Sequence, residues 1–224
     1  MPFLALEWVW EWVAFVLSNW MFLEVLEYMS TLSVLVAVVF YFSESGDRIK
    51  QKHYQAWQVI NTAQGKGGSG GRIEALQELN ADRIPLVGVD VSGAFLQGVR
   101  LDRAHLLRSN FSGADARQGF FYASDFADAD LQNANLRGSD LRTVSFTGAD
   151  LDDADLWEAD LTGSDLSDVT LRNTDLRYSV LRDIRWEKIK DVNMANLFGV
   201  KSAPPEFLAW ALQHGAVQIE SDTK

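Results

Sequence analysis

The chain has no cysteine, which removes disulfide frameworks, thiolate metal sites and cysteine nucleophiles, and leaves the compartment open. Histidine is almost as scarce. His53, His105 and His214 are the only three, and they share no ligand spacing of the kind a metal site needs. Basic charge is short too, with 20 Lys and Arg against 31 acids, a net charge of −11 and a pI near 4.7. Nucleic-acid-binding surfaces are normally basic, so no nucleic-acid partner is expected.

The shortage of basic residues is sharpest at the front, where none occurs before Arg48. Residues 1–43 carry four charges, all acidic: Glu7, Glu11, Glu24 and Glu27. From Tyr28 to Ser43 nothing is charged, and TLSVLVAVVFYF fills the centre. That run makes roughly 24 Å of helix, and extending it back to Leu26 matches a hydrocarbon core of roughly 30 Å. One membrane span over 26–43 is therefore expected. The preceding 3–20 stretch holds Trp8, Trp10, Trp12 and Trp20, residues suited to the membrane interface. It fits both an amphipathic interfacial helix and the first span of a hairpin. It lacks a basic n-region and an A-x-A site, so a cleaved signal peptide is not expected. Arg48, Lys50 and Lys52 come directly after the span. By the positive-inside rule they place the remainder of the chain on the cytoplasmic side of an inner, plasma or thylakoid-like membrane.

Residues 44–80 read as juxtamembrane helices. Over 46–64, Ile49, His53, Trp57 and Ile60 recur at helical spacing, the mark of an amphipathic helix. GKGGSGG at 65–71 lacks the Gly-Lys-Ser/Thr of a phosphate-binding loop and reads as a flexible linker. A short helix comes after it, with Ile73, Leu76 and Leu79 placed to cover the open end of a repeat array.

That array has a period of five. From Ile84 to Lys188 the chain divides into 21 blocks, beginning IPLVG VDVSG AFLQG and passing through ADLQN, ANLRG, SDLRT, ADLWE and TDLRY. The third position is Leu, Phe, Val or Trp in 20 of the 21, Ala116 being the exception, and the second is Asp in ten. Five fits neither a helix nor a flat strand; the chain has to turn a corner in every block, which makes a solenoid. The pattern resembles the pentapeptide-repeat family, whose blocks are written A(D/N)LXX. The resemblance runs through 84–188 and resumes over 190–199 after the one-residue insertion Ile189.

The resemblance implies an all-β solenoid over 84–199, a right-handed, four-sided β-helix with the first and third positions inward. Stacking residues twenty apart then gives four inner ladders. One runs Leu86, Leu106, Phe126, Phe146, Leu166 and Trp186; another places Ala116 in the coil of Phe111 and Phe121, whose rings can fill the space it leaves. Residues 200–224 supply a C-terminal cap and tail. Pro204 and Pro205 open a helix, Phe207, Leu208, Ala211 and Leu212 form its apolar face, and Gly215 ends it.

The repeated Asp residues suggest paired carboxylate chemistry or simple turn chemistry. Five-residue spacing spreads them over all four faces, which favours each one bonding its own turn. Charge is uneven along the rod. Ala123 to Asp168 holds twelve acids and two bases, and Arg172 to Lys190 six bases and three acids. One outward column stands apart: Gln97, Arg117, Arg137, Trp157 and Arg177, with Glu158 and Tyr178 alongside. Trp, Tyr and Arg dominate protein-binding hot spots, and the same residues also make self-satisfied cation–π ladders. Both readings stay open for Arg117, Arg137, Trp157, Arg177 and Tyr178.

No catalytic residue, cofactor fingerprint or metal cluster is visible. The expected function is a non-enzymatic, membrane-anchored scaffold with the bilayer and membrane proteins as partners. Two alternatives stand beside it. Family resemblance suggests an acidic DNA mimic that binds a topoisomerase such as gyrase. The acid-bearing front helices suggest an accessory subunit of a transport, respiratory or photosynthetic complex.

Overall fold

The computed structural model describes residues 3–18, 21–62 and 69–220, in two units, Met1–Lys52 and His53–Lys224. Trp20, the front of the expected linker up to residue 68 and the last four residues lie outside the described ones. Helix α1 is Phe3–Ser18 and helix α2 is Met21–Thr62. The long apolar run and the expected amphipathic helix thus form one α-helix, whose two parts belong to different units.

Among the described residues of the first unit, most apolar side chains are exposed. Within α2 the 18-residue window Glu24–Tyr41 is apolar enough to cross a membrane, and none of it is buried. Trp8, Trp10 and Trp12 on α1 are 69%, 68% and 59% exposed. Beyond the window, Arg48 reaches back along the helix. Its Nη2 donates to the Tyr41 carbonyl at 3.0 Å and its guanidinium lies 4.7 Å from the Tyr41 ring. Ile49, expected on a buried stripe, is 53% exposed in this unit. The buried stripe of α2 begins later, with Ala56 and Ile60.

In the second unit the five-residue period becomes a coil. Parallel bridges join residues twenty apart, Asn110 to Asp130 to Asp150 and Asp115 to Asn135 to Asp155, so four blocks make one turn of the solenoid. Each block contributes a single bridge residue, and no longer strand forms among the described residues. The β-structure is thus a ladder of isolated contacts, because the chain turns again before a second residue can pair.

The block Ala129–Asn133 shows why these residues form this coil. Ala129 N–H closes a turn onto the Phe126 carbonyl at 3.0 Å. Asp130 N–H donates to Ser109 in the preceding coil at 2.9 Å, and Leu131 and Asn133 donate to Asp150 and Asp152 in the next coil at 2.8 and 3.0 Å. Only the fourth N–H lacks a backbone acceptor, and the Asp130 carboxylate takes it, Gln132 N to Oδ1 at 3.0 Å. Buried or crowded backbone donors demand partners, so the second-position Asp or Asn is structural. In two blocks that lack the residue, a neighbouring coil supplies the acceptor. Thr170 has no carboxylate, and Asp152 from the coil below accepts from Arg172 N at 2.9 Å; Phe120 has none, and Asp102 accepts from Tyr122 N at 3.1 Å.

The fifth position turns the corner with positive φ, from Arg103 through Asp128, Asn133, Glu158 and Asp183. Positive φ at the third residue of the turn and not the second is the type II arrangement, which explains the Gly, Asn and Asp found there. Among the described fifth positions of the repeat, Lys188 alone stays out of this region. It precedes the insertion. There Ile189, read from the sequence as the extra residue, is buried at a first-position corner, and the extra residue falls in the second position, where exposed Lys190 donates its N–H to the Val169 carbonyl at 2.9 Å and Asp191 pairs with Thr170. Pairing accordingly lengthens from twenty to twenty-one, Thr170 to Asp191 and Asp175 to Asn196. Burying Ile and exposing Lys is the cheaper assignment.

The third-position ladders fill the interior. Phe126 stacks on Phe146 at 5.7 Å and meets Phe111 and Phe121 edge-on at 5.2 and 5.4 Å. The coil containing Ala116 compensates in a way the repeat alone does not reveal. A Cβ on Gly119 would stand 2.5 Å from the Phe121 ring and 2.9 Å from the Ala116 carbonyl, so Phe121 occupies a corner that other coils give to Ala or Ser.

Both ends are covered. At the start, Ala56 and Ile60 of α2 and Ala75, Leu76 and Leu79 of α3 (Arg72–Ala81) are buried in the core. Gln77 Oε1 accepts from Arg100 N at 2.9 Å, doing for the first coil what a preceding coil does for the others. Arg72, unmarked by the sequence, is fully buried, with Nε donating to the Ser69 carbonyl at 3.3 Å. At the far end α4 (Pro205–Gln213) buries Phe207 and Ala211. Leu212, expected on its apolar face, is 44% exposed. Trp186 also departs from expectation: it is half-buried, with no further coil above it, and packs on Phe207 and Trp210 at 5.7 and 5.6 Å. The chain then returns to pair Val217 with Asn196, closing an exposed edge.

Candidate functional site

Because stacking keeps to the count of twenty, each outward position forms a column. Two neighbouring faces collect the acids, with Asp125, Asp128, Asp165 and Asp168 on one and Asp130, Asp150, Asp152 and Asp153 on the next. The other two mix acids with arginines and aromatic rings. Several arginines neutralise the second-position Asp of their own or a neighbouring coil. Arg117 Nη2 lies 2.7 Å from Asp115, Arg142 Nη2 2.6 Å from Asp140, and Arg185 Nη2 2.7 Å from Asp165. The hydrogen bonds from Arg117 and Arg142 hold the Asp115 and Asp140 carboxyls below the usual carboxylate range. At Asp165 burial is the largest influence and pushes the other way, but the hydrogen bonds from Ser167 and Thr147 and the charge of Arg185 together bring the net shift downward.

The column singled out by sequence separates into two parts. Arg117, Arg137 and Trp157 line a single cleft of about 230 Å³, together with Gln97, Gln118, Gly138 and Glu158. The Arg137 guanidinium lies 4.2 Å from the Trp157 ring centroid while its Nη1 donates to Asp155 at 3.2 Å. Arg177 does not join them. It is 11% exposed, donates to Asp175 at 2.6 Å through Nη2, and reaches the Glu220 carbonyl at 3.1 Å through Nη1. Tyr178 packs edge-on against Trp157 at 5.8 Å and continues to Phe198 at 5.8 Å, away from the cleft lining. Trp157 is thus held on one side by a cation and on the other by a ring.

Gln118 and Gly138 are lining residues that the sequence pattern did not single out. Their signal is the fifth-position column, Gln118, Gly138 and Glu158, in which a glycine stands between two long side chains. Among the described residues, no three His, Cys, Asp or Glu side chains gather where they could hold a metal ion.

A chain wound in five-residue quarter turns, with its interior filled by its own side chains, is a solenoid repeat protein whose chemistry lies on its outer faces. The β-helix is built of pentapeptide repeats: the family model for pentapeptide repeats matches eight copies over residues 86–121, 124–163 and 158–184. Among solved structures it is similar to Rfr23, a pentapeptide repeat protein from the cyanobacterium Cyanothece 51142, at 21% identity over 64% of this chain and 97% of that one, with a TM-score of 0.35. It is also similar to QnrB1, a plasmid-mediated fluoroquinolone resistance protein, at 18% identity over 58% of this chain and 62% of that one, with a TM-score of 0.40. A third is alr5209, a pentapeptide repeat protein from Nostoc Pcc 7120, at 24% identity over 70% of this chain and 100% of that one, with a TM-score of 0.24. No curated protein matches the chain.

Proposed function

We propose that this chain is a non-enzymatic, membrane-anchored scaffold that presents a rigid β-helix to a protein partner. One contrast carries the reading: the coil interior is closed by its own side chains, while the 18-residue window Glu24–Tyr41 has no covering at all. A filled interior offers no chamber for catalysis, so the useful surface is the outside. An uncovered apolar helix of that length suits a bilayer, and its acids Glu24 and Glu27 suit the far interface or a polar partner there. The basic residues Arg48, Lys50 and Lys52 support a cytoplasmic β-helix by the positive-inside rule, and the family resemblance supports a right-handed winding.

The test is extraction and capture. Fractionated membranes should retain the chain until detergent is added, and detergent-solubilised chain should carry a stoichiometric protein partner. Deleting residues 1–25 and substituting Trp157→Ala separate the two candidate contact regions. Loss of the partner with the deletion alone assigns it to the helices, as an accessory subunit would bind. A chain that is soluble without detergent overturns the anchored reading and returns weight to an acidic, topoisomerase-binding rod.

A further inference from the structure

We infer that the cleft at Gly138 is a receptor for a cationic side chain, Lys or Arg, on an extended segment of the protein partner; this rests on the scaffold reading above. Four fifth-position glycines stand one coil after a residue that has a side chain: Gly138, Gly148, Gly163 and Gly199. At Gly148 the preceding Asp128 has moved into the vacant place, its Oδ1 2.5 Å from where a Cβ would stand, and at Gly199 the Tyr178 ring has done the same at 2.7 Å. At Gly163 the Thr143 methyl borders the site at 3.4 Å. Gly138 is the most open of the four, with Gln118 Cγ at 3.9 Å as its only neighbour within 4 Å. Gln118 and Glu158 flank it one coil away on either side, about 10 Å apart at the spacing of stacked strands. That opening admits a long aliphatic stem with a charged head.

Charge decides which head. The two cations in the lining are already matched, Arg117 to Asp115 at 2.7 Å and Arg137 to Asp155 at 3.2 Å. Glu158 is the remaining charge, exposed, and its carboxylate has no ion-pair or hydrogen-bond partner among the described residues. An acidic ligand would have only the donors that Arg117 and Arg137 leave over beside Asp115 and Asp155, and would meet Glu158 as well. A cation meets an unpaired carboxylate and the Gln118 amide oxygen, with Trp157 as apolar lining for its stem. The Gln97 Nε2 to Gln118 Oε1 contact is long, 3.4 Å, leaving both amides able to address the backbone of an extended segment. The net charge of −11 favours the approach of a basic partner from any direction.

The test uses full-length chain in detergent, with the Trp157 indole and Gln118 side-chain amide resonances as reporters. The probes are blocked tripeptides, Gly-Lys-Gly, Gly-Arg-Gly and Gly-Glu-Gly. The basic peptides should shift both resonances, and the acidic one should not. Glu158→Gln should weaken the basic peptides about two- to fivefold, the size of an exposed ion pair. Glu158→Arg should transfer the response to the acidic peptide. Gly138→Asn, which suits the positive φ there, should fill the cleft and abolish the shifts. Equal response in Glu158→Gln, preference for the acidic peptide by unsubstituted protein, or no response at all overturns the proposal. Partner capture from solubilised membranes keeps the two readings distinct. A partner retained by Glu158→Gln and Gly138→Asn leaves the scaffold standing without this contact; no partner in any variant removes the scaffold itself.

Discussion

The two units handle the same kinds of side chain in opposite ways. In the β-helix, Leu131, Leu136, Leu141 and Phe126 are no more than 1% exposed, whereas Leu32, Leu35, Val39 and Phe40 in α2 are 56%, 61%, 59% and 67% exposed. Residue type does not set the difference. A period of five closes the chain around its own apolar ladder, while an all-round apolar helix has no second surface of its own to meet. The coil buries its own apolar ladders and pairs nearly all of its backbone, with helices covering its two ends. The helical unit leaves the apolar window Glu24–Tyr41 uncovered.

The sharpest way to break that contrast is a matched pair of truncations. Phe126→Ala removes a ring packed against three others and should cost about 3–5 kcal/mol by denaturant unfolding in detergent. Leu35→Ala should leave β-helix stability within about 0.5 kcal/mol; a comparable loss would break the comparison. Gly119→Ala forces a methyl against Phe121 and should cost about 1–3 kcal/mol, read as a drop in Tm. Asp155→Ala strips the acceptor from Trp157 N–H, 3.1 Å away, and should cost about 1 kcal/mol, while Asp155→Asn keeps most of it. Recovery in the Asn variant separates turn chemistry from charge.

Ser164→Ala runs the other way. The Ser139 and Ser179 hydroxyls fold onto their own turn carbonyls at 2.6 and 2.7 Å, but Ser164 Oγ is buried with no partner among the described residues. Replacing it with the Ala common at that corner should raise stability by up to about 1 kcal/mol. The smallest effect concerns pH. Asp115 and Asp140 have carboxyls held below their unfolded values by Arg117 and Arg142. A depressed folded pKa adds stability above about pH 4 that is lost as pH falls through the folded value. Arg117→Gln with Arg142→Gln should flatten the acid limb of the melting profile and change little at neutral pH, as suits exposed pairs.

The five-residue period and the two caps were legible because hydrophobic period and proline placement are local signals, while the four-block coil and its ladders followed from the family resemblance. The acceptor role of Asp130 and its equivalents was legible as turn chemistry, though its target, the fourth N–H, needed the coil geometry. Other features depended on neighbours twenty residues away or on the ends. Ile189 reads as the insertion because it sits between blocks, while burial selects Lys190. Arg177 looked equivalent to Arg137 by column, yet the returning tail engages it. The Gly138 opening was hidden because glycine is common at that position, and only the side chain in the coil below decides whether the space is filled.

The division of labour within one block makes the outer surface editable point by point. Of every five residues, the first and third are committed to the interior and the second to the backbone. The fourth is the freest, except where an Asp such as Asp102 or Asp152 serves the next coil, and the fifth is limited to residues that tolerate a left-handed corner. A partner therefore reads a grid with rows about 4.8 Å apart, in which one point can be rewritten without moving its neighbours. The one-residue insertion shows the same independence along the chain. Lys190 adds a letter to the text, and the columns beyond it, Asp191 over Thr170 and Asn196 over Asp175, stay aligned as though nothing had been added.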